Sequence, residues 1–242
     1  MSNLSISIAH LYPRHLNLYG DRGNIITLIK RCEWRGINVE FEEINVGDKV
    51  GAHDLYFIGG GQDKQQEDVA QELYTQKNEL IAQRDDGAVF LGICGGYQLF
   101  GHYYKPHDKD KLQGISLMDA YTVAGDTRFI GNVTVETDFL EPKTLVGFEN
   151  HSGLTYLQGD TKPLGVVKVG NGNNGCDGFE GARYKNVFGT YLHGSLLPKN
   201  PHFADYLLKL ALEKRYGEGI ELLPLDNEIE LNAHNSLVGL NY

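Results

Sequence analysis

A short apolar segment that runs into a glycine-framed cysteine is the sequence feature that most constrains the fold. Val89 to Ile93 has the composition of a buried strand, Cys94 follows it, and Gly95 and Gly96 open a helix-like stretch. A strand that turns this sharply into a helix forms a nucleophile elbow, where the tight turn tolerates almost no side chain around the cysteine. The segment predicts an α/β fold in which Cys94 stands exposed at the carboxyl end of a strand.

Apolar runs alternate with helix-like stretches over the first half of the chain, which indicates a mostly parallel sheet with helices on both faces. From about Ala120 onward the pattern changes to strands separated by turn signals. The runs predict strands at residues 4–9, 37–41, 55–58, 89–93, 121–123, 129–136, 145–149 and 164–169.

The last part of the chain contains one clear helix. Asn200 is a capping residue type, Pro201 suits the first helical position, and Gly217 ends the apolar repeat. Residues 218–242 are polar and weakly patterned. We therefore expect one domain in which residues 1–200 form the main body and residues 201–242 add a C-terminal helix and a docking tail.

Composition excludes several classes of protein. Asp and Glu outnumber Lys and Arg by 32 to 22, and no basic run is present, which argues against a nucleic-acid surface. The N-terminus lacks a signal-peptide pattern, and nowhere do about 18 apolar residues stand together, so we expect a cytoplasmic protein without a transmembrane segment. The three cysteines include no C-x-x-C pair, so neither a disulfide framework nor a metal site is expected.

Cys94 has the surroundings of a reactive thiol. The N-terminus of the following helix favours negative charge and hence the thiolate, which is the nucleophilic form. The N–H of Gly95, directly after the nucleophile, is placed to donate to an oxyanion. Cys32 and Cys176 lack flanking glycines of this kind and are interpreted as ordinary cysteines, because a free cysteine often only fills a core.

A second glycine cluster, Gly59 to Gly61, follows the apolar run that ends at Ile58. It should also lie at the carboxyl edge of the sheet, where ligand sites of α/β proteins collect. The cluster is a candidate for the second oxyanion donor, and a simple tight turn is the alternative. It does not fit a dinucleotide-binding motif, because Lys64 stands where the third glycine is required.

A thiol nucleophile needs a base, and nine histidines are available. His193 is favoured, because an apolar run from Val187 to Leu192 delivers it to a strand end and Gly194 leaves room beside it. His151 is the second candidate. A histidine at a strand end is often structural, so the residues alone leave both alternatives open.

These segments together resemble a known family. Gly92-Ile93-Cys94-Gly95-Gly96-Tyr97-Gln98 resembles the G-x-C-x-G-x-Q signature of class I glutamine amidotransferases, and the segment from Gly189 to Gly194 resembles the histidine motif of their cobyric-acid-synthase-like branch. Residues 16–24, 57–61 and 146–151 are similar to the glutaminase subunits of lipid II isoglutaminyl synthases. The resemblance runs from about position 11 to 200 and implies a flavodoxin-like fold for a glutaminase domain over residues 1–200.

The resemblance also implies a role for each site residue. Cys94 would attack the side-chain amide of L-glutamine and His193 would relay protons, while Gly60 and Gly95 would offer oxyanion N–H groups. Gln98 would help to hold the substrate. Arg128 would bind the α-carboxylate of the free amino acid, for which a guanidinium group is chemically suited.

The implied partner is a Mur-ligase-like synthetase subunit that forms a heterodimer with this chain. The partner uses ATP and Mg²⁺ to activate the D-glutamate α-carboxyl group of lipid II at the inner face of the membrane, and this chain supplies the ammonia. No cofactor is expected in the chain itself.

One departure from the family pattern is visible. Many class I enzymes carry an acid two residues after the histidine, whereas Ser195 occupies that position here. A dyad of Cys94 and His193 is the natural interpretation, which leaves open what orients the histidine. Two alternatives also stay open: amidation of another acceptor such as cobyrinate, and a non-catalytic binding module on the same fold.

Overall fold

The computed structural model describes residues 4–61 and 63–240, which form two sheets and six α-helices. In chain order the elements are β1 (Ser5–Leu11), α1 (Arg22–Glu33), β2 (Asn38–Ile44), β3 (Leu55–Ile58), α2 (Asp63–Thr75), α3 (Lys77–Asp85), β4 (Val89–Ile93), α4 (Gly95–Phe100), β5 (Tyr103–Lys105), β6 (Leu112–Gln113), β7 (Ala120–Glu136), β8 (Thr144–Leu157), β9 (Gly165–Val169), β10 (Phe179–Glu180), β11 (Ala182–Tyr184), β12 (Val187–Thr190), α5 (Pro201–Tyr216) and α6 (Glu228–Leu237). Two short 3₁₀ helices, Leu18–Gly20 and Leu197–Lys199, precede α1 and α5.

The first sheet has the strand order β11-β12-β4-β3-β1-β2. All of its pairs are parallel except that between β11 and β12 at one edge. The parallel part has the strand order of a flavodoxin-like fold, with β12 in the fifth position. The predicted mostly parallel α/β sheet is confirmed, and Cys94 follows one of its central strands.

Side chains alternate between the two faces of this sheet, as the period of a strand requires. Ile6 and Ile8 of β1 pack in one core with the apolar faces of α1 and α5. Ala9 and Leu11 of the same strand pack in a second core with α2, α3 and α4. Burial on both faces explains why β3 and β4 are apolar throughout their length.

The second sheet is mostly antiparallel, with the order β10-β9-β7-β5-β6 and with β8 paired to β7. The separate strands predicted at 121–123 and 129–136 are wrong, because both belong to the single strand β7. The register between β7 and β8 shifts between Ala124 and Phe129, so the polar residues between them interrupt the pairing without ending the strand. The strand predicted at 145–149 likewise continues to Leu157.

The C-terminal helix α5 begins at Pro201, and Gly217, with φ +94°, follows its last residue. Asn200 stands at the capping position as predicted, but its side chain makes no cap hydrogen bond. Its amide instead exchanges hydrogen bonds with the backbone N–H and C=O of Val146 in β8. Beyond α5, α6 buries His234 against Thr144 and Lys199. The division into a main body and a docking tail stays a prediction.

Candidate active site

Cys94 occupies a strained turn between β4 and α4. Its backbone has φ +48° and ψ −104°, a conformation that L-residues rarely adopt. The turn is possible because its neighbours lack side chains: a Cβ on Gly92 would lie 2.7 Å from the ring of Phe100, and one on Gly96 would lie 2.6 Å from Ile58. The glycine frame that suggested a nucleophile elbow is therefore a steric requirement of this turn.

Gly60 lies directly over the space between the two predicted catalytic residues. A Cβ on Gly60 would stand 3.1 Å from the ring of His193 and 3.3 Å from Cβ of Cys94. Its N–H donates to Oδ2 of the buried Asp21 over 2.6 Å, so in this conformation it is not directed at an oxyanion. The role of Gly60 as second oxyanion donor stays a prediction that requires this hydrogen bond to break.

His193 lies at the junction of the two sheets. Its backbone forms an antiparallel bridge with Phe148 of β8, with hydrogen bonds of 2.8 and 3.3 Å. The buried ring lies beside Cys94 under Gly60, and its Nδ1 lies 3.9 Å from Oδ1 of Asp21. Burial alone lowers the pKa of His193, but the negative charges of Cys94 and Asp21 outweigh that effect and raise it. A raised pKa favours the imidazolium form of His193.

His151, the second candidate base, has different surroundings. Its Nδ1 lies 2.8 Å from the carbonyl oxygen of Gly153, a contact that requires a proton on Nδ1. Its ring stacks on Tyr191 with centroids 3.6 Å apart. Burial lowers the pKa of His151 to about 4, so the ring is neutral at pH 7. The electrostatic interaction with Cys94 therefore distinguishes His193 from His151.

Gln98 is held by the protein on both sides of its amide. Its oxygen accepts a hydrogen bond from Gln66 over 2.8 Å, and its nitrogen donates to the hydroxyl of Tyr191 over 3.1 Å. Gln66 also donates to the carbonyl of Gly95, next to the nucleophile. Gln98 borders the pocket with one amide N–H still available to a ligand, and its predicted contact with substrate stays a prediction.

Arg128 also lines this pocket, and its side chain is exposed. It belongs to the part of β7 where the register shifts, and its Nε donates to Oδ1 of Asn150 over 2.6 Å. The pocket measures about 430 Å³ and is lined by Leu18, Gly61, Lys64, Gln66, Cys94, Gln98, Tyr104, Lys109, Arg128, Asn150, His151, Ser152, Gly153 and His193. The structure thus brings the predicted side chains of Cys94, His193, Gln98 and Arg128 to one cavity.

A family model described as the CobB/CobQ-like glutamine amidotransferase domain matches residues 7–201. The chain belongs to this family. The amidotransferase resembles subunit GatD of the glutamine-hydrolysing lipid II isoglutaminyl synthase of Staphylococcus aureus (strain N315), with 43% identity over 96% of this chain and 95% of the relative. The corresponding subunit of Streptococcus pneumoniae (strain ATCC BAA-255 / R6) is 40% identical over 90% of this chain and 84% of the relative.

More distant relatives of the amidotransferase include the cobyric acid synthase of Thermoanaerobacter sp. (strain X514), which is 28% identical over 64% of this chain and 34% of the relative. Among solved structures, one described as a glutamine amidotransferase superposes with a TM-score of 0.57 at 14% identity over 84% of this chain and 98% of that chain. PurLQS from Thermotoga maritima gives a TM-score of 0.53 at 17% identity, over 79% of this chain and 88% of that chain. At these identities the superpositions show the fold alone, and the predicted flavodoxin-like class I amidotransferase fold is confirmed.

Two residues of the amidotransferase site were not predicted from sequence. Asp21 and Gln66 stand far from Cys94 along the chain. For Asp21 a signal was present, since it lies inside the segment 16–24 that resembled known glutaminases. Nothing in the spacing indicated that its carboxylate would face His193.

The other two cysteines lie away from the pocket, as the interpretation of them as ordinary cysteines requires. Cys32 is buried in the core beside α5, where burial raises the pKa of its thiol to about 12, and Cys176 is exposed. No group of three or more His, Cys, Asp or Glu side chains suited to a metal occurs in residues 4–61 and 63–240. Within that part of the chain, no helix combines the length and apolar character needed to cross a bilayer.

Proposed function

We propose that this chain is the glutamine-hydrolysing subunit of a lipid II isoglutaminyl synthase. The observation that carries the proposal is the position of Cys94 and His193 side by side under Gly60, in the pocket that also holds Arg128. Two relatives named as this subunit, each matching at least 90% of the chain, supply the reaction and its context.

In the first half of the reaction, Sγ of Cys94 attacks the carboxamide carbon of glutamine. The new C–S bond forms a tetrahedral intermediate, His193 donates its proton to the amide nitrogen, and the C–N bond breaks. Ammonia leaves, and the γ-glutamyl group remains on Cys94 as a thioester. The imidazolium favoured by the surroundings of His193 holds the proton that this step requires.

The negative oxygen of the intermediate needs donors that are already in position. The N–H of Gly95 directly follows the nucleophile and serves as one donor. A second donor comes from Gly60 once its N–H turns away from Asp21, and substrate binding provides the energy for that change.

In the second half, neutral His193 removes a proton from water, which attacks the thioester carbon. The C–S bond breaks, glutamate is released, and the thiolate–imidazolium pair is restored. Glutamine and water are thus converted into glutamate and ammonia, with no net change in the enzyme.

Arg128 binds the α-carboxylate of the substrate, and Gln98 holds the carboxamide end near Cys94. A guanidinium donates two parallel hydrogen bonds to a carboxylate, so it selects free glutamine over an uncharged amide. Arg128 already uses Nε to contact Asn150, which leaves its terminal nitrogens for the ligand.

The acceptor of the ammonia is the D-glutamate α-carboxyl group of lipid II. A Mur-ligase-like partner activates this carboxyl with ATP and Mg²⁺, in the cytoplasm at the inner face of the membrane, and forms a heterodimer with this chain. The second candidate function is that of a cobyric acid synthase, but this chain spans only about a third of the cobyric acid synthase of Thermoanaerobacter sp..

The test is to purify the chain with the synthetase that it binds in its own cells. We expect the complex to release ammonia from glutamine and to amidate lipid II in the presence of ATP, and the Cys94→Ser complex to do neither. Amidation of a cobyrinate instead of lipid II would overturn the acceptor assignment. Absence of glutamine hydrolysis in the intact complex would overturn the proposed enzyme activity.

A further inference from the structure

The acid that usually follows the catalytic histidine is absent from position 195, yet a buried carboxylate faces that histidine from another part of the chain. Oδ1 of Asp21 lies 3.9 Å from Nδ1 of His193, and both side chains are almost fully buried. Oδ2 of the same carboxylate accepts the Gly60 N–H over 2.6 Å. One carboxylate therefore contacts both the histidine and the glycine that covers the nucleophile.

The position of Asp21 is fixed from two sides. The 3₁₀ turn before it is attached to the glycine cluster by a hydrogen bond from Leu18 N–H to the carbonyl of Gly60. Gly59 permits this approach, since a Cβ there would lie 2.5 Å from the carbonyl oxygen of Leu16 and 2.8 Å from Oδ2 of Asp21. The buried carboxylate cannot move away without disrupting this packing.

Ser195 provides the second attachment. It has φ +48°, and its hydroxyl donates to the carbonyl of Gly20 over 2.5 Å. An acid at this position would place a carboxylate against that carbonyl oxygen, which is unfavourable. Gly23 accommodates the hydroxyl, because a Cβ there would lie 2.2 Å from Oγ of Ser195. The residue at the usual acid position thus holds the loop that delivers Asp21.

We propose that Asp21 is the positioning residue of His193, supplied by the loop before α1 and held there by Ser195. This inference rests on the proposed glutaminase function. With Nδ1 facing Asp21, the imidazole keeps its Nδ1 proton and presents Nε2 to the thiol of Cys94. Shortening of the 3.9 Å separation to a hydrogen bond when glutamine binds completes a Cys94–His193–Asp21 triad.

The charge on Asp21 should also control the proton affinity of His193. The other titratable groups facing His193 are the Cys94 thiol after β4, His151 on β8, Glu180 on β10, and Lys199, whose Nζ would lie 3.3 Å from a Cβ on Gly194. Asp21 and Cys94 raise the pKa of His193, so loss of the Asp21 charge should lower it. Since His193 must protonate the leaving ammonia, the alkaline limb of the activity profile should move to lower pH.

The experiment compares Asp21→Asn with Asp54→Asn in the full chain bound to its partner. Asp54 is a matched control, because it is also buried, carries ion pairs with Lys214 and Arg215, and stands at the opposite, amino-terminal edge of the sheet. We expect Asp21→Asn to lower kcat by about 10² or more with little change in KM, because the amide favours the wrong tautomer. Asp54→Asn should lower thermal stability only.

A second readout does not depend on glutamine. Nitrogen-15 NMR of the histidine rings reports the tautomer and the titration of His193, whose signal is identified as the one absent from His193→Gln. We expect Asp21→Asn to shift this titration to lower pH, and Ser195→Ala, which releases the loop, to shift it in the same direction by less. A His193 titration and tautomer that are the same in all three proteins would overturn the inference. A shifted titration in a chain that does not hydrolyse glutamine would support the positioning role and overturn the glutaminase proposal instead.

Discussion

The side-chain nitrogen of Gln98 donates a hydrogen bond to the hydroxyl of Tyr191 over 3.1 Å. This contact joins the helix that follows the nucleophile to the segment that leads to His193. It continues through Tyr191 to Thr155 over 2.7 Å and on to Thr122 over 2.8 Å, within the second sheet. A buried row of polar side chains therefore fixes how the two halves of the site meet.

Replacement of Gln98 by Leu should damage both stability and activity. The change leaves the Tyr191 hydroxyl and the Gln66 amide short of a buried partner, at a cost of about 1–3 kcal/mol in unfolding free energy. It also removes the contact proposed for the substrate carboxamide, so kcat/KM for glutamine should fall by roughly tenfold or more. Urea unfolding and glutaminase kinetics measure the two effects. Gln71→Leu, at an exposed position of α2, is the control. An unchanged kcat/KM in Gln98→Leu would show that Gln98 has no part in the site.

Cys94→Ser should abolish glutamine hydrolysis and leave the fold intact, because a hydroxyl is a far weaker nucleophile than a thiolate at neutral pH. Cys32→Ser and Cys176→Ser should keep nearly full activity, since neither thiol borders the pocket. Ammonia release by the three variants, with circular dichroism as the folding control, decides the matter. If Cys32→Ser or Cys176→Ser were the inactivating change in a folded protein, the nucleophile elbow would be wrongly assigned.

His193→Ala should slow formation of the acyl-enzyme by about 10² or more, the usual scale for loss of a general acid–base group. His151→Ala should slow it less, because that ring is neutral and donates to the carbonyl of Gly153. Single-turnover measurements with glutamine separate this step from product release. A larger loss in His151→Ala than in His193→Ala would transfer the role to His151.

The parts of the site that could be predicted from sequence are those encoded locally. The elbow around Cys94 could be predicted because the strand, the glycines and the start of the helix are consecutive in the sequence, and each has a recognisable local residue pattern. The parallel sheet followed in the same way from apolar runs with a recognisable length. These features depend on steric limits within a few residues, which a sequence displays directly.

Contacts between distant segments could not be predicted in this way. Asp21 reaches His193 only because β1 and β12 belong to the same sheet and because Ser195 and Gly20 meet at its edge. The sequence likewise predicts that Asn200 caps α5, because asparagine is a common capping residue. Its side-chain amide instead binds the backbone of β8, which lies within hydrogen-bond distance. Such choices are decided by packing, which local preference does not encode.

A buried histidine outside the site should make the protein sensitive to acid. His10 of β1 is fully buried, neither ring nitrogen has a hydrogen-bond partner among the described residues, and burial lowers its pKa to about 4. As the pH falls below 6.5, His10 binds a proton in the unfolded chain but stays neutral in the folded chain until about pH 4. The free energy of unfolding therefore decreases progressively as the pH falls from 6.5 to about 4. His10→Leu should therefore gain about 2 kcal/mol relative to wild type on going from pH 7 to pH 5. Urea unfolding at both pH values measures this, with the exposed His107→Leu as control, and an equal pH dependence of wild type and His10→Leu would contradict the assignment.

Arg128 should recognise the free amino acid and take no part in bond breaking. A guanidinium holds the α-carboxylate of glutamine through directional, charge-assisted hydrogen bonds that a Lys ammonium cannot reproduce. Loss of such a contact costs on the order of 1.5 to 3 kcal/mol, so Arg128→Lys should lower kcat/KM for glutamine by roughly 10 to 10². Alkylation of Cys94 by iodoacetamide, measured in a Cys176→Ser background, should keep its wild-type rate because the nucleophile is untouched.

Arg183→Lys, which affects an ion pair with Asp138 at the sheet edge, controls for the change of residue type. An unchanged kcat/KM in Arg128→Lys would show that this arginine is only a surface residue, whereas slower alkylation of Cys94 would show that it acts on the nucleophile.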